Sequence, residues 1–287
     1  MRTEKAEYFL GNTDLDLSYY CDYFYLIIFL LSAMNATPAS LLPPGEAERL
    51  QTLWHYAVLP SLREPVFNEL VGLSARIFNL PIALIALVDA DEVSYKANEG
   101  LPGLLRQPRV EALCALAVRQ HKVLVLADVA NEQSLTVEAA TAAGAKNLRF
   151  YAGAPLIMPN QCAIGTLCVI DHRPRTFSAD EQQLLEQLAG LVSDTIALRH
   201  ACVGQGNAHW PDVQQHLADE LRELVALVRY LSARFGTQVP ISAAVLEPVQ
   251  RRLHDLSAVL REHEIGQPSV ALVSGFQASC GRSGSSN

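Results

Sequence analysis

Six cysteines and eight histidines are the residue types in this chain with the widest chemical repertoire. The cysteines, Cys21, Cys114, Cys162, Cys168, Cys202 and Cys280, show no CxxC unit and no paired spacing, so neither a zinc site nor a disulfide framework is written into them. Cys114 lies within the apolar run Ala112-Leu-Cys-Ala-Leu-Ala117, which reads as mid-helix, and Cys168 alternates with Leu167 and Val169 on an apolar strand. In such places a thiol packs as a small hydrophobe. A reactive thiolate needs a cationic neighbour or a helix N-terminus, and a mid-helix position supplies neither. The histidines form no HExxH pattern. His121, at a helix-to-strand junction, is the best haem-ligand position and reads more simply as a solvated turn. No metal site and no catalytic residue is expected.

The aromatic and acidic candidates sit near strands. Phe150 and Tyr151 open the stretch RFYAGAPL and, as strand neighbours, point to opposite faces of a sheet. One packs under helices and the other faces a pocket; Tyr95 can reach that same side. Asp171 follows a strand, and with Arg173 and Arg175 it makes a charged turn closed by an Asp side-chain cap. Tyr95, Cys114, Phe150, Tyr151, Cys168 and Asp171 are therefore the candidate residues of a ligand pocket.

The elements that must position them follow from hydrophobic periodicity. The chain has 287 residues, 22 basic and 30 acidic side chains, and is half apolar, ample for a core and incompatible with a disordered or fibrous chain. No basic stripe exists to neutralise phosphates, so a nucleic-acid partner is not expected. Leu50, Leu53 and Trp54 start a helical pattern that Pro60 ends, and Ser61 with Glu64 forms a capping box before Pro65. Val66, Leu70, Leu73 and Ile77 mark the next helix. Ile82–Val88 is apolar on both faces and reads as a central strand, paired by a tight turn with Val93–Ala97. A helix over Arg109–Gln120, a strand over Val123–Ala127 and a polar loop with a short helix over 128–147 come next. Strands Arg149–Met158 and Ala163–Ile170 follow, and Ser178 with Glu181 caps a long helix. Pro155 belongs at a bulge or an unpaired edge, and Gly153 and Gly165 admit a close approach to the sheet. Tight hairpins force antiparallel pairing, so the class is α+β.

Residues 46–201 resemble a bacterial GAF domain, through LWHYAVLPSLREPVFNELVGLSARIFNLPIALIALVD, ALCALAV, RFYAGAPL and IGTLCVIDHRPRTFSADEQQLL. The resemblance implies a central antiparallel sheet with the terminal helices on one face and a ligand pocket, or its vestige, on the other. The family often has Cys-x-His-Ala-Ile where this chain has Cys114-Ala-Leu-Ala-Val118, and the family's Asp-x-Arg-Phe-x-x-Asn-Pro loop is reduced to Asp128-Val-Ala-Asn131-Glu-Gln. Bilin-binding members place histidine after the attachment cysteine, where Ala115 stands here. Free-methionine sulfoxide reductases of this fold use an attacking and a resolving thiol. Cys114 and Cys168 are the pair that could meet, although the flanking sequence does not resemble that group. The cyclic-nucleotide pattern is absent. No particular cofactor is implied.

Outside the domain, residues 1–45 read as an N-terminal extension and linker. Tyr23–Leu31 is apolar but far short of the ~20 residues of a membrane helix, and Asp14, Asp16 and Asp22 block its extension. A start at Met34 ranks above a membrane anchor over residues 17–33, and that above a cleaved signal. Residues 202–211 form a linker, 212–263 a helical hairpin with stripes Leu217, Leu221, Leu224, Val228, Leu231 and Leu246, Val249, Leu253, Leu256, Leu260, and 264–287 a disordered Gly/Ser-rich tail. Pro248 must kink or begin the second helix. A hairpin alone leaves its stripes bare, so pairing with a second copy into a four-helix bundle, or with a signalling partner, is expected; packing onto the preceding domain is the alternative. His216-Leu-Ala-Asp-Glu-Leu-Arg only faintly echoes the phosphoacceptor pattern of sensor kinases. The expected protein is a cytoplasmic, non-catalytic sensory module that binds a small molecule or protein partner and signals through the hairpin. The alternatives are a thiol-based redox protein and a degenerate dimerisation scaffold.

Overall fold

A computed structural model describes residues 42–56, 64–204, 210–236 and 239–265. The expectations for residues 1–41, for Ser61 of the first capping box and for the tail from 266 lie outside them. Strand β1 (Ile82–Val88) is buried at every position, as its unbroken apolar sequence requires. It is the third strand of a six-stranded antiparallel sheet ordered β3-β2-β1-β6-β5-β4, with β2 (Glu92–Glu99), β3 (Arg106–Pro108), β4 (Leu124–Leu126), β5 (Phe150–Ile157) and β6 (Ala163–Asp171). Helices α1 (Glu46–His55) and α2 (Pro65–Phe78) precede the sheet, α3 (Leu113–Gln120) and α4 (Val137–Ala145) interrupt it, and α5 (Ala179–Gly204) follows it. The α+β class and the antiparallel sheet stand as expected.

Strand alternation sorts the two faces. On the back face Ile85, Leu87, Phe150, Ala152, Leu167 and Val169 pack under α2 and α5, with Phe177 between Phe78 and Phe150. On the front face Leu84, Tyr151, Cys168 and Ile170 pack under α3 and α4. Pro155 lies beyond the last β5 residue paired with β4, Gly153. The capping box at α5 is present: Ser178 N–H donates to Glu181 Oε2 at 2.7 Å, and Glu181 N–H donates to Ser178 Oγ at 3.2 Å.

Two expected elements change. The segment expected as one helix over Arg109–Gln120 is a 3₁₀ turn (Arg109–Glu111) followed by α3, and it is preceded by a short strand, β3, that hydrophobic periodicity does not reveal. Its cause is Arg109. This side chain is fully buried, pairs with Glu46 Oε1 at 2.5 Å, and donates to the carbonyls of Asp89 at 3.0 Å and Ala90 at 3.3 Å. A guanidinium pinned under the β1–β2 turn delays the α-helix until Leu113.

The second change concerns the C-terminal hairpin, α6 (Trp210–Phe235) and α7 (Ala243–Ile265), with Pro248 inside the latter. Leu217, Leu221, Leu224, Val228, Leu231, Leu246, Val249, Leu253, Leu256 and Leu260 are all buried, in one continuous core with α2 and α5. Helix α6 packs on α2, and α7 on α5. The stripes invoked for pairing with a second copy are thus covered within the chain, which removes the reason for a hairpin-mediated homodimer. Leu184, Leu185, Leu188, Leu191 and Val192 of α5 are all buried because this helix lies between sheet and hairpin. Glu64, at the start of α2, accepts from Arg199 Nε at 2.6 Å and from Trp210 Nε1 at 2.8 Å, closing the α5–α6 junction onto the domain. No helix among the described residues is long and apolar enough to cross a membrane.

Two measurements check this packing. Leu221→Ala lowers the unfolding free energy by about 2–5 kcal/mol, and in a Trp54→Phe background the fluorescence of Trp210 and far-UV circular dichroism report the same shifted transition, because hairpin and domain share a core. Burial raises the Glu46 carboxyl pKa, but hydrogen bonds and charge from Arg49 and Arg109 outweigh it and hold the group below its ordinary value. Its contribution is therefore present above the unfolded value and lost as pH falls through the depressed one. Glu46→Gln destabilises the protein at neutral pH and flattens the acid limb of its stability profile below about pH 5.

Candidate functional site

Strand β6 presents Thr166, Cys168 and Ile170 to the front face, and β5 presents Tyr151 and Gly153 beside them, with Gly153 directly paired to Cys168. The glycine is there for space: a Cβ on Gly153 would collide with the phenol oxygen of Tyr151, which folds back over it. Gly165 serves a different approach, because a Cβ there would strike the Ala86 carbonyl and the Leu87 backbone of β1.

Above this floor sits the start of α3. Ala112 is its N-cap, so Cys114 is the second helical residue and not a mid-helix one. This position overturns the premise on which Cys114 reads as simple packing, since it places the sulfur among the free N–H groups and positive dipole end of the helix. Cys114 Sγ stands 4.0 Å from Cys168 Sγ, and both thiols are buried. The Cys168 thiol leads the groups that draw the Cys114 pKa down, to about 7; burial opposes, and Thr166, Tyr151 and the Cys114 backbone N–H add to the lowering. Cys168 is pushed the other way, by its hydrogen bond to Cys114 and by burial. The two thiols titrate as a coupled pair, and in their contact either sulfur can be the donor. Tyr151 Oη and Thr166 Oγ1 are buried, and neither completes a hydrogen bond to a partner among the described residues.

A cavity of about 30 Å³ opens beside Cys114, walled by Tyr95, Gln107, Glu111, Tyr151 and Leu84 and closed outwardly by half-buried Leu101, Leu104 and Lys146. That volume accommodates about two water-sized occupants. Tyr95 donates its phenol proton to Gln107 Oε1 at 3.2 Å, and Gln107 Nε2 donates to the Glu111 carbonyl at 2.7 Å, tying β2 and β3 to the turn before α3. Burial first, then the nearby thiol and carboxylate charges, push the Tyr95 phenol pKa well up, so it remains a neutral donor.

Of the six candidate residues, Tyr95, Cys114 and Tyr151 line the cavity, and Cys168 lies behind Cys114. Phe150 does not belong with them; it points to the back face against Phe177. Asp171 does not either. Its carboxylate accepts from Arg173 N–H at 3.3 Å and its carbonyl from Arg149 N–H at 2.9 Å, closing the turn after β6. His121 is exposed, ending α3 in the left-handed conformation. Asp128, the remnant of the family's acidic loop, grips Arg149 through two hydrogen bonds of 2.8 Å and caps the following 3₁₀ turn. Thr166, Gln107 and Lys146 were not singled out from the sequence. Thr166 was reachable by strand alternation from Cys168; Gln107 depends on β3, and Lys146 on where α4 packs.

The close seating of Tyr151 on Gly153 is testable. Gly153→Ala destabilises the chain by about 1–3 kcal/mol through overpacking. In a double-mutant cycle with Tyr151→Phe, which removes the colliding oxygen, part of that loss is recovered.

The family model described as GAF domain matches residues 63–196. A cyclic di-GMP phosphodiesterase of Pseudomonas aeruginosa is 32% identical over 151 residues, which make up 52% of this chain and 25% of that protein. The chain thus spans about a quarter of the length of the curated relative it matches. Among solved structures, the GAF domain of an Acinetobacter phosphoenolpyruvate-protein phosphotransferase aligns at 22% identity with a TM-score of 0.41, over 55% of this chain and 98% of that one. The free methionine-R-sulfoxide reductase of Neisseria meningitidis aligns at 19% identity with a TM-score of 0.39, over 51% and 85%. With its antiparallel sheet, its helix-covered back face and its front-face cavity already described, the segment from residue 63 to residue 196 belongs to the GAF domain family.

Proposed function

We propose that the chain is a non-catalytic sensory module that receives a compact molecule at the cavity beneath α3 and passes the change to the α6–α7 hairpin on the opposite face. One node carries this reading. Arg175 donates to several layers at once: its N–H to the Ala127 carbonyl beyond β4, Nη1 to the Phe78 carbonyl ending α2 at 2.6 Å, and Nη2 to Glu181 Oε1 at 2.6 Å. The same Glu181 oxygen accepts from Ile241 N–H, in the turn between α6 and α7, at 3.4 Å. Both residues are buried, where an ion pair broken on one side is strongly destabilising. A displacement of the β4 edge is therefore felt at the hairpin turn through two side chains.

Cavity size narrows the ligand class. Room for about two water-sized occupants suits a very small polar molecule and not a nucleotide or a tetrapyrrole. The activity named for the Pseudomonas relative belongs to a protein of which the matched residues form a quarter, and the reading for this chain is regulatory. A cytoplasmic setting and a protein partner for the exposed side of the hairpin are part of the same proposal.

Hydrogen exchange on the full chain tests it. Tyr151→Phe and Tyr95→Phe, which alter the cavity wall, change protection in α6–α7 as well as in α3. In the Glu181→Gln background the α3 effect persists and the α6–α7 effect disappears. Unchanged α6–α7 protection in both cavity variants would overturn the reading.

A further inference from the structure

Two thiols placed at van der Waals distance in a protein core are ordinary packing unless something distinguishes one from the other and something can reach them. Here both conditions hold. Cys114 belongs to a helix terminus and Cys168 to the sheet beneath, so a change in their separation moves one element against another. Their sulfurs are 4.0 Å apart, and a disulfide requires about 2.05 Å. Side-chain rotation and a small shift of α3 span that difference. Cys114 also forms part of the wall of the cavity, whereas Cys168 does not. A small molecule held in the cavity therefore meets Cys114 first, with Cys168 behind it. Beside the pair lie two hydroxyls, on Tyr151 and Thr166, each almost completely buried and without a hydrogen-bond partner among the described residues. They are placed to donate to an oxygen or to a sulfur anion at this point. The other described cysteines lack this setting: Cys162 is half-buried at the β5–β6 turn and Cys202 lies at the end of α5.

We propose that Cys114 and Cys168 are a dithiol switch, oxidised to a disulfide by a peroxide admitted to the front-face cavity. This rests on the sensory reading for its signal output and supplies that reading's missing ligand class. The cavity's capacity of about two water-sized occupants matches hydrogen peroxide, whose two oxygens occupy about that space. The chemistry balances in two steps. The Cys114 thiolate attacks one peroxide oxygen, the O–O bond breaks, and the departing hydroxide takes up the proton released from the thiol and leaves as water; Cys114 becomes a sulfenic acid. The Cys168 sulfur then attacks the Cys114 sulfur, the S–O bond breaks, and the hydroxide leaves with the Cys168 proton as a second water. Two thiols lose two electrons, and one peroxide becomes two waters. The lowered pKa of Cys114 and the raised one of Cys168 agree with this order of attack. The new bond draws the start of α3 toward β6, against the Arg109 anchor that fixes the preceding turn.

The test uses the full chain, reduced, freed of reductant and exposed to hydrogen peroxide before alkylation and peptide mapping. The expected product is one internal cross-link between the Cys114 and Cys168 peptides, with two fewer alkylated thiols per chain, reversed by dithiothreitol. Cys168→Ser leaves Cys114 as a sulfenic acid trapped by dimedone, and Cys114→Ser leaves Cys168 unoxidised. Cross-linking of either residue to one of the other four cysteines, or no cross-link in a chain whose thermal unfolding shows it folded, overturns the switch. So does oxidation of Cys168 in Cys114→Ser at the wild-type rate. Hydrogen exchange on the cross-linked chain separates the two readings. If the disulfide forms and α6–α7 protection stays unchanged, the dithiol stands and the sensory reading falls; if no disulfide forms, the dithiol falls and the Glu181 test still decides the sensory reading.

Discussion

The buried Arg109 guanidinium is the constraint around which the front face is arranged. A charge taken out of water must be matched on several sides, and here Glu46 of α1 and two carbonyls of the β1–β2 turn surround it. Because Glu46 also holds Arg49, whose Nη1 reaches the Val88 carbonyl at 2.7 Å, the N-terminal helix, the first hairpin and the chain entering α3 are fixed to one another. The starting point of α3 follows from that grip, and the starting point sets Cys114 over Cys168. A single residue away, the sulfur would face a different side of the helix.

The two faces of the sheet have been given different tasks by strand alternation alone. Behind it, phenylalanines and branched aliphatics form a core continuous with the hairpin. In front, the same strands contribute a phenol, a threonine, a thiol and a glycine among the apolar residues that pack under α3 and α4. Arg175 and Glu181 join the two faces at the sheet's edge, where a strand end, two helix ends and a hairpin turn converge.

Much of this was legible in the sequence, for physical reasons specific to each element. Ile82–Val88 could be placed at the sheet centre because no position in it tolerates water. Phe150 and Tyr151 had to diverge because neighbours on a strand do. Ser178 and Glu181 announced a helix start because their side chains make the capping bonds themselves. The start of α3 gave no such announcement: Ala112 has no side chain with which to cap, so the run into Cys114 looked like the middle of a longer helix. β3 is three residues long and ends in Pro108, below the length at which alternation can be recognised. Gln107 was hidden with it. The hairpin stripes were legible as buried surface, but periodicity names the face that is covered and not the surface that covers it. Asp171 was read both as a pocket residue and as a turn cap, and only the long-range placement of β6 decides between them.

The covering of α2 and α5 by α6 and α7 has a consequence for how the protein is made. The ribosome delivers the hairpin after the whole sheet, so during synthesis the apolar backs of α2 and α5 stand open until α6 and α7 emerge. A nascent chain halted near residue 205 would present that surface to its neighbours, and any trigger factor or holdase attending this protein would be needed most during that interval.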